Sequence, residues 1–81
     1  MHVRVRFGTA LGRLVGVSRL TLEVPDGMTV DELFAHLGDA HAGVAPALPS
    51  ALPVVAGRHV GRERPLSPGD EIALLTPVAG G

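Results

Sequence analysis

The chain has 81 residues, of which 46% are hydrophobic, and its formal net charge is −1. This length predicts one small domain with a core of its own but too little chain for a deep, walled active site. The near-neutral charge and the small aromatic content, two phenylalanines, argue against a nucleic-acid partner, which favours a basic stripe or a stacking platform.

Two residue types are missing, and each absence limits the chemistry. Without cysteine the chain cannot form a disulfide framework, a thiolate metal site or a side-chain persulfide. Without lysine it cannot accept an isopeptide bond on a side-chain amine. No apolar run approaches the roughly 20 residues that span a bilayer, and residues 1–6 resemble a strand more than a signal peptide. We therefore expect a cytoplasmic protein with no membrane partner.

The first predicted elements are two strands joined by a short helix. Residues 2–7 alternate polar and apolar side chains, the period of a strand with one covered face. Residues 9–16 then have helical spacing, with Thr9 as a candidate N-cap and Gly16 as the residue that ends the helix. The apolar positions of this helix are Leu11, Leu14 and Val15. Residues 19–24 return to period two, which predicts a second strand.

The clearest local pattern is a helix that begins at Thr29. Thr29 and Glu32 have the spacing of a capping box, and Met28 and Leu33 have that of a hydrophobic staple. Four apolar side chains form a stripe that we expect to face the sheet: Val30, Leu33, Phe34 and Leu37. The stripe is expected to be core and to have no cofactor role.

His36, Asp39 and His41 lie near the end of this helix and raise the question of a metal site. The two histidines are not spaced i, i+4, and no third ligand is evident, whereas structural zinc sites use four ligands. We therefore expect solvent-exposed residues at the helix end and no metal.

The second half of the chain is predicted to supply the remaining strands. Residues 40–52 are rich in alanine and proline, so we expect a connecting loop that could include a turn of helix. Residues 53–57 predict a short strand, with residues 58–60 as a candidate return. Residues 65–70 have the composition of a tight turn and lead into a last strand at residues 72–75.

These elements predict an α+β domain of two layers, with one main helix packed across a mixed sheet of four to five strands. We expect the first and last strands to lie side by side and parallel at the centre of the sheet. The second strand then lies outside the first, and the third lies outside the last.

The chain ends on two glycines that follow shortly after the last strand. A terminal Gly-Gly is often only a frayed end. Here a predicted central strand holds it on a short arm, and glycine has no Cβ, so that such an arm can enter a narrow channel. If the protein takes part in a reaction, the carboxylate of Gly81 is the best candidate for the reacting group.

Two segments resemble a known family. Residues 65–72 (Pro-Leu-Ser-Pro-Gly-Asp-Glu-Ile) and residues 75–81 (Leu-Thr-Pro-Val-Ala-Gly-Gly) resemble the MoaD/ThiS family of sulfur carriers, and the resemblance covers essentially the whole chain. Residues 7–16 resemble the short first helix of its molybdopterin synthase branch. Thr76 stands where the family usually has proline, and Ala56 stands where it often has asparagine. Both departures leave the terminal Gly-Gly intact.

The resemblance implies a ubiquitin-like β-grasp domain over residues 1–81, with a flexible tail at residues 76–81, that is not itself an enzyme. An E1-like adenylating enzyme of the MoeB/ThiF type would use ATP to activate the Gly81 carboxylate, and a sulfurtransferase would supply sulfur for a thiocarboxylate. The large subunit of molybdopterin synthase (MoaE type) would then use this sulfur for the dithiolene of molybdopterin. In this scheme the carrier itself binds no cofactor.

Further roles follow for the residues around Gly81. The tail residues expected to enter the partner are Gly80, Ala79, Val78 and Pro77. The candidates for an apolar docking patch near the tail are Phe7, Leu74 and Leu75. Core burial is the alternative for this patch, and it is favoured for Phe7.

Three arginines are candidates for contact with an acidic enzyme surface: Arg4, Arg6 and Arg58. The alternative is that they are only solvated, as charges on an exposed sheet face usually are.

The same sequence features also allow other functions. A carrier of the same kind could serve thiamine, cysteine, tungsten cofactor or secondary-metabolite synthesis. The chain could also be a ubiquitin-like modifier that is conjugated through Gly81 to other proteins, or a non-catalytic β-grasp interaction module with an incidental Gly-Gly.

Overall fold

The computed structural model describes residues 1–76 of the chain. Its elements, in chain order, are β1 (His2–Phe7), α1 (Thr9–Val15), β2 (Arg19–Glu23), α2 (Val30–Ala40), a 3₁₀ segment (Ala42–Ser50), β3 (Leu52–Val55), β4 (Arg58–His59) and β5 (Glu71–Leu75).

The five strands of the described chain form one mixed sheet in the order β2-β1-β5-β3-β4. β1 and β5 pair in parallel at its centre, from Arg4 opposite Glu71 to Phe7 opposite Leu74. β2 is antiparallel to β1, and β3 is antiparallel to both β5 and β4. The predicted strand order is therefore confirmed, and β4 is the fifth strand.

One face of this sheet packs into the core. On β1 the alternation predicted from the sequence is confirmed, since Val3, Val5 and Phe7 are buried and the residues between them are exposed. Ile72 and Leu74 of β5 are fully buried on the same side. These strands and the apolar stripe of α2 form a single hydrophobic cluster, which gives the two-layer α+β architecture expected from the sequence.

The main helix α2 begins as predicted. The hydroxyl of Thr29 accepts a hydrogen bond from the Glu32 amide at 3.2 Å, and the Glu32 carboxylate accepts one from the Thr29 amide at 3.1 Å. This is the reciprocal capping box, which satisfies two backbone donors at the helix start. All four side chains of the predicted stripe are buried.

The short helix α1 differs from the prediction at its start. Gly8 is the N-cap residue and Thr9 is the first helical residue, with no side-chain cap, so the predicted N-cap role of Thr9 is wrong. Gly16 ends the helix as predicted, with a φ of 91° in the left-handed region that glycine tolerates. Within this helix only Leu11 is buried, and Leu14 is 53% exposed.

The segment expected to be a loop contains 3₁₀ turns from Ala42 to Ser50. Its two prolines exclude an α-helix, but short 3₁₀ turns accept them because the φ of proline lies within the 3₁₀ range. Val44 and Leu48 of this segment are buried against the core, so the segment adds packing and is not only a connection.

Arg62 ties the 3₁₀ segment to α2. Its guanidinium donates to the carbonyl oxygens of Leu48 and Pro49, at 2.9 and 3.0 Å, and lies 3.5 Å from the carboxylate of Asp31. The same group lies over the Phe34 ring, 4.4 Å from its centroid. A half-buried arginine thus connects the 3₁₀ segment with α2.

A two-residue turn joins β3 to β4. Ala56 and Gly57 both have positive φ, 52° and 77°, which is the pattern of a type I′ hairpin turn. Ala56 is the non-glycine residue with positive φ in the described chain. Asparagine and glycine adopt this conformation more readily than alanine.

Candidate functional site

The end of β5 is held on both sides, and this is where the described chain stops. On one side, the carbonyl oxygen of Leu74 accepts a hydrogen bond from the Gly8 amide at 2.9 Å. On the other side, Leu75 lies opposite Leu52 of β3. Thr76 follows and is half-buried. The point from which the tail leaves is therefore set by the two neighbouring strands.

The predicted reacting group and the predicted insertion segment lie outside the described residues. These are Gly81 and, before it, Gly80, Ala79, Val78 and Pro77.

The predicted docking patch is only partly on the surface. Phe7 is 5% exposed and Leu74 is fully buried, because both lie on the face of the sheet that packs into the core. They are core residues and offer no docking surface. The burial favoured for Phe7 is confirmed, and the docking role offered for Leu74 is wrong. Leu75 points to the open face and is 39% exposed.

Leu75 belongs to an apolar strip that the sequence reasoning missed. On the open face, Leu52 lies opposite Leu75 and Val54 lies opposite Ala73. Leu52 is 38% exposed, and Val54 is half-buried. We call Leu52, Val54 and Leu75 the tail-side patch; Ala73, which lies opposite Val54, is only 5% exposed. Residues 52–55 are all apolar, so the sequence has no alternation that would assign the two faces of β3; the faces are known only from its pairing with β5.

The arginines also group differently from the prediction. Arg4 and Arg6 lie on the open face of β1, and Arg19 of β2 lies directly opposite Arg6. Arg58 lies on β4, three strands from β1, which is roughly 14 Å at the usual strand spacing. Arg19 therefore joins Arg4 and Arg6, and Arg58 does not. We call Arg4, Arg6 and Arg19 the arginine cluster.

Neither a metal site nor a membrane segment is found in the part of the chain that the structure describes. Among residues 1–76 no group of three or more His, Cys, Asp or Glu side chains is placed to hold a metal ion. His36 and Asp39 are exposed, and His41 is half-buried. Over the same residues, no helix has the length and apolar character needed to cross a membrane.

Comparison with known protein families and solved structures identifies the family of this chain. The sequence model of the ThiS family matches residues 5–81. The chain belongs to the ThiS family. This confirms the MoaD/ThiS resemblance seen in the two terminal segments.

Individual relatives of this ThiS-family chain cover all or nearly all of its length. A molybdopterin synthase sulfur carrier subunit from Chlamydomonas reinhardtii is 25% identical over 83 residues, covering 100% of both chains. A chain of the complex of subunits 1 and 2 of molybdopterin-converting factor from Helicobacter pylori is 28% identical, with a TM-score of 0.73 and complete coverage of both chains. The small archaeal modifier protein 1 of Haloferax volcanii has a TM-score of 0.82 at 20% identity, over 95% of this chain and 98% of that one. These likenesses confirm the ubiquitin-like β-grasp fold.

Proposed function

We propose that this protein is a sulfur carrier for molybdopterin synthesis, acting as the small, non-catalytic subunit of molybdopterin synthase. The observation that carries the proposal is the position of β5. This strand is fixed at the centre of the sheet and ends beside an apolar patch, so the chain leaves the sheet next to a surface that a partner can cover. ThiS-family membership and the two full-length relatives with molybdopterin-related names support the same function.

The chemistry assigned to Gly81 needs a partner at each step. A carboxylate is a poor electrophile until it carries a leaving group. One of its oxygens would attack the α-phosphorus of ATP in an adenylating enzyme, with release of pyrophosphate. The terminal sulfur of a sulfurtransferase persulfide would then attack the acyl carbon, and AMP would leave. A thiol would reduce the resulting acyl disulfide, which releases the thiocarboxylate. The large subunit of molybdopterin synthase would receive that sulfur.

The residues of this chain position the tail for those partners. Gly80 has no side chain that would widen the arm, and Pro77 restricts the backbone at its start. The tail-side patch provides apolar area for docking at the point where the tail leaves the sheet. The roles of the carrier are thus presentation and docking, while ATP chemistry belongs to the partner.

Intact-mass spectrometry tests this function directly. The full chain is incubated with ATP, a sulfur source and the host's adenylating enzyme. We expect a mass gain equal to the exchange of one oxygen for sulfur, and no gain for a chain that lacks Gly81. Transfer is then followed with the large subunit of molybdopterin synthase and the pterin precursor. An unchanged mass with an enzyme shown to be active on another carrier would contradict the proposal.

A ubiquitin-like modifier is the second candidate, because the structural neighbours include a protein named as a modifier. The two functions share the adenylation step and diverge afterwards. A modifier would form higher-mass adducts with other proteins in cell extracts, and these adducts would resist thiol treatment. A carrier would yield the thiocarboxylate and pass its sulfur to a small molecule.

A further inference from the structure

The arginine cluster is a charged surface that the carrier chemistry of Gly81 does not use. Together with Thr21 and Glu71, its side chains line a depression of about 250 Å³ on the open face of the sheet. Arg4, Arg6 and Arg19 are all exposed. The depression opens on the exposed face of the sheet, so that it can receive side chains of another protein surface.

The positive charge of this cluster is only partly compensated within residues 1–76. Arg6 and Arg19 lie directly opposite each other, and like charges in this arrangement destabilise a strand pair. The carboxylate of Glu71 lies 3.8 Å from Nε of Arg6, but both side chains are about half exposed, and such a pair contributes little. Arg4 and Arg19 form no ion pair with another described residue. The cluster therefore has charge and hydrogen-bond donors available for a partner.

The cluster also borders the tail-side patch. Arg6 is the register partner of Ala73, which lies two residues before Leu75, a separation of about 7 Å along the strand. The acidic residue of β2, Glu23, lies at the opposite end of that strand from Arg19. The positive end of the open face is thus the end from which the tail leaves, and a protein that holds the tail can cover both surfaces.

We propose that the arginine cluster binds an acidic segment on the surface of the adenylating enzyme that receives the tail. The proposal rests on the function proposed above. A guanidinium group binds a carboxylate through two parallel hydrogen bonds, which a lysine ammonium cannot do, and all seven basic residues of this chain are arginines. The net charge of −1 disfavours a nucleic-acid backbone as the occupant. Charge complementarity of this kind raises association rates and makes binding dependent on salt.

The test measures binding of the chain to the adenylating enzyme under conditions in which adenylation cannot occur. The affinity of the full-length chain for the host's adenylating enzyme is measured by biolayer interferometry without ATP, at low and at high ionic strength. The test variant is Arg19→Glu, which places a carboxylate opposite Arg6 and so preserves the strand pair. The matched control is Arg58→Glu, with the same change of charge on an exposed residue of β4. We expect Kd to rise roughly tenfold for Arg19→Glu and by less than about twofold for Arg58→Glu, with the difference shrinking in high salt.

Each other outcome overturns the proposal. Equal weakening by both variants would indicate attraction by net charge alone. Unchanged binding by Arg19→Glu, or no binding by the natural chain, would remove the docking role. Tighter binding to a single-stranded oligonucleotide than to the enzyme, lost in Arg19→Glu, would assign the cluster to nucleic acid. Because ATP is absent, failure of thiocarboxylate formation is a separate result and leaves this measurement interpretable.

Discussion

At the scale of single residues, Ala56 carries backbone strain that the turn between β3 and β4 requires. Its φ of 52° lies in the left-handed region, where an L-residue with a Cβ is disfavoured and asparagine is better tolerated. We expect Ala56→Asn to raise the free energy of unfolding by about 1 kcal/mol. Urea denaturation followed by circular dichroism measures this change.

The control for Ala56 is the same substitution in a helix. Ala35 is exposed in α2, where asparagine has lower helix propensity than alanine. Ala35→Asn should therefore lower stability, opposite in sign to Ala56→Asn. A loss of stability in both variants would mean that the positive φ of Ala56 carries no appreciable strain.

A second residue-scale prediction concerns Arg62. Its guanidinium bonds two carbonyl oxygens of the 3₁₀ segment and lies over Phe34, so Arg62→Ala removes a charge-assisted connection between two elements. We expect a loss of about 1–2 kcal/mol in the free energy of unfolding. Arg62→Lys should recover part of it, because an ammonium keeps the charge but cannot form the same fork.

Arg13→Ala is the comparison for Arg62. Arg13 is exposed on α1 and forms no ion pair with a described residue, so its loss should change stability by less than about 0.5 kcal/mol. Equal effects of Arg13→Ala and Arg62→Ala in urea denaturation would show that the Arg62 contacts do not stabilise the fold.

At the scale of elements, the pairing of β3 with β5 creates the tail-side patch, and this patch should matter for docking and not for folding. Leu52→Ser and Leu75→Ser remove apolar area that is already more than one third exposed. We expect each to raise KM in the adenylation assay roughly fivefold or more, with kcat and the unfolding midpoint little changed.

Leu14→Ser is the matched control for these two variants, since Leu14 is 53% exposed on α1. It should leave KM unchanged. If Leu14→Ser raised KM as much as Leu75→Ser, the effect would come from general surface hydrophobicity and the patch would have no special role.

Elements with a local signal could be predicted from the sequence. The capping box of Thr29 and Glu32 and the strict alternation of residues 2–7 depend on neighbours within a few positions, so their pattern is visible in the chain. The central, parallel placement of the first and last strands followed from the order of elements. The extent of the 3₁₀ turns over residues 42–50 could not be predicted, because Pro46 and Pro49 argue against an α-helix and leave short turns open.

The parts of the site that were missed depend on pairing across the sheet. Leu52 becomes a neighbour of Leu75 only through the β3–β5 register, and Arg19 meets Arg6 only through the β1–β2 register. For Phe7 and Leu74, the sequence left both burial and docking open. Burial follows from the parallel pairing that places them opposite each other on the core side.

At the scale of the whole molecule, protection from solvent should follow the strand order. β1 and β5 are flanked on both sides, whereas β4 is a two-residue edge strand and the 3₁₀ segment has no sheet partner. Hydrogen exchange measured by NMR should therefore be slowest in β1 and β5 and faster in β4 and the 3₁₀ segment. Exchange of β5 as fast as that of β4 would mean that the centre of the sheet opens locally.

The parallel pairing of β1 with β5 has a consequence for synthesis on the ribosome. Residues 2–7 are synthesised well before residues 71–75, their central partner in the sheet. Until then one edge of β1 has no strand to pair with, and an open strand edge invites aggregation or proteolysis. A product that stops before residue 71 cannot close its sheet. Cells should therefore remove such fragments, so that nearly every folded copy has been translated at least through β5.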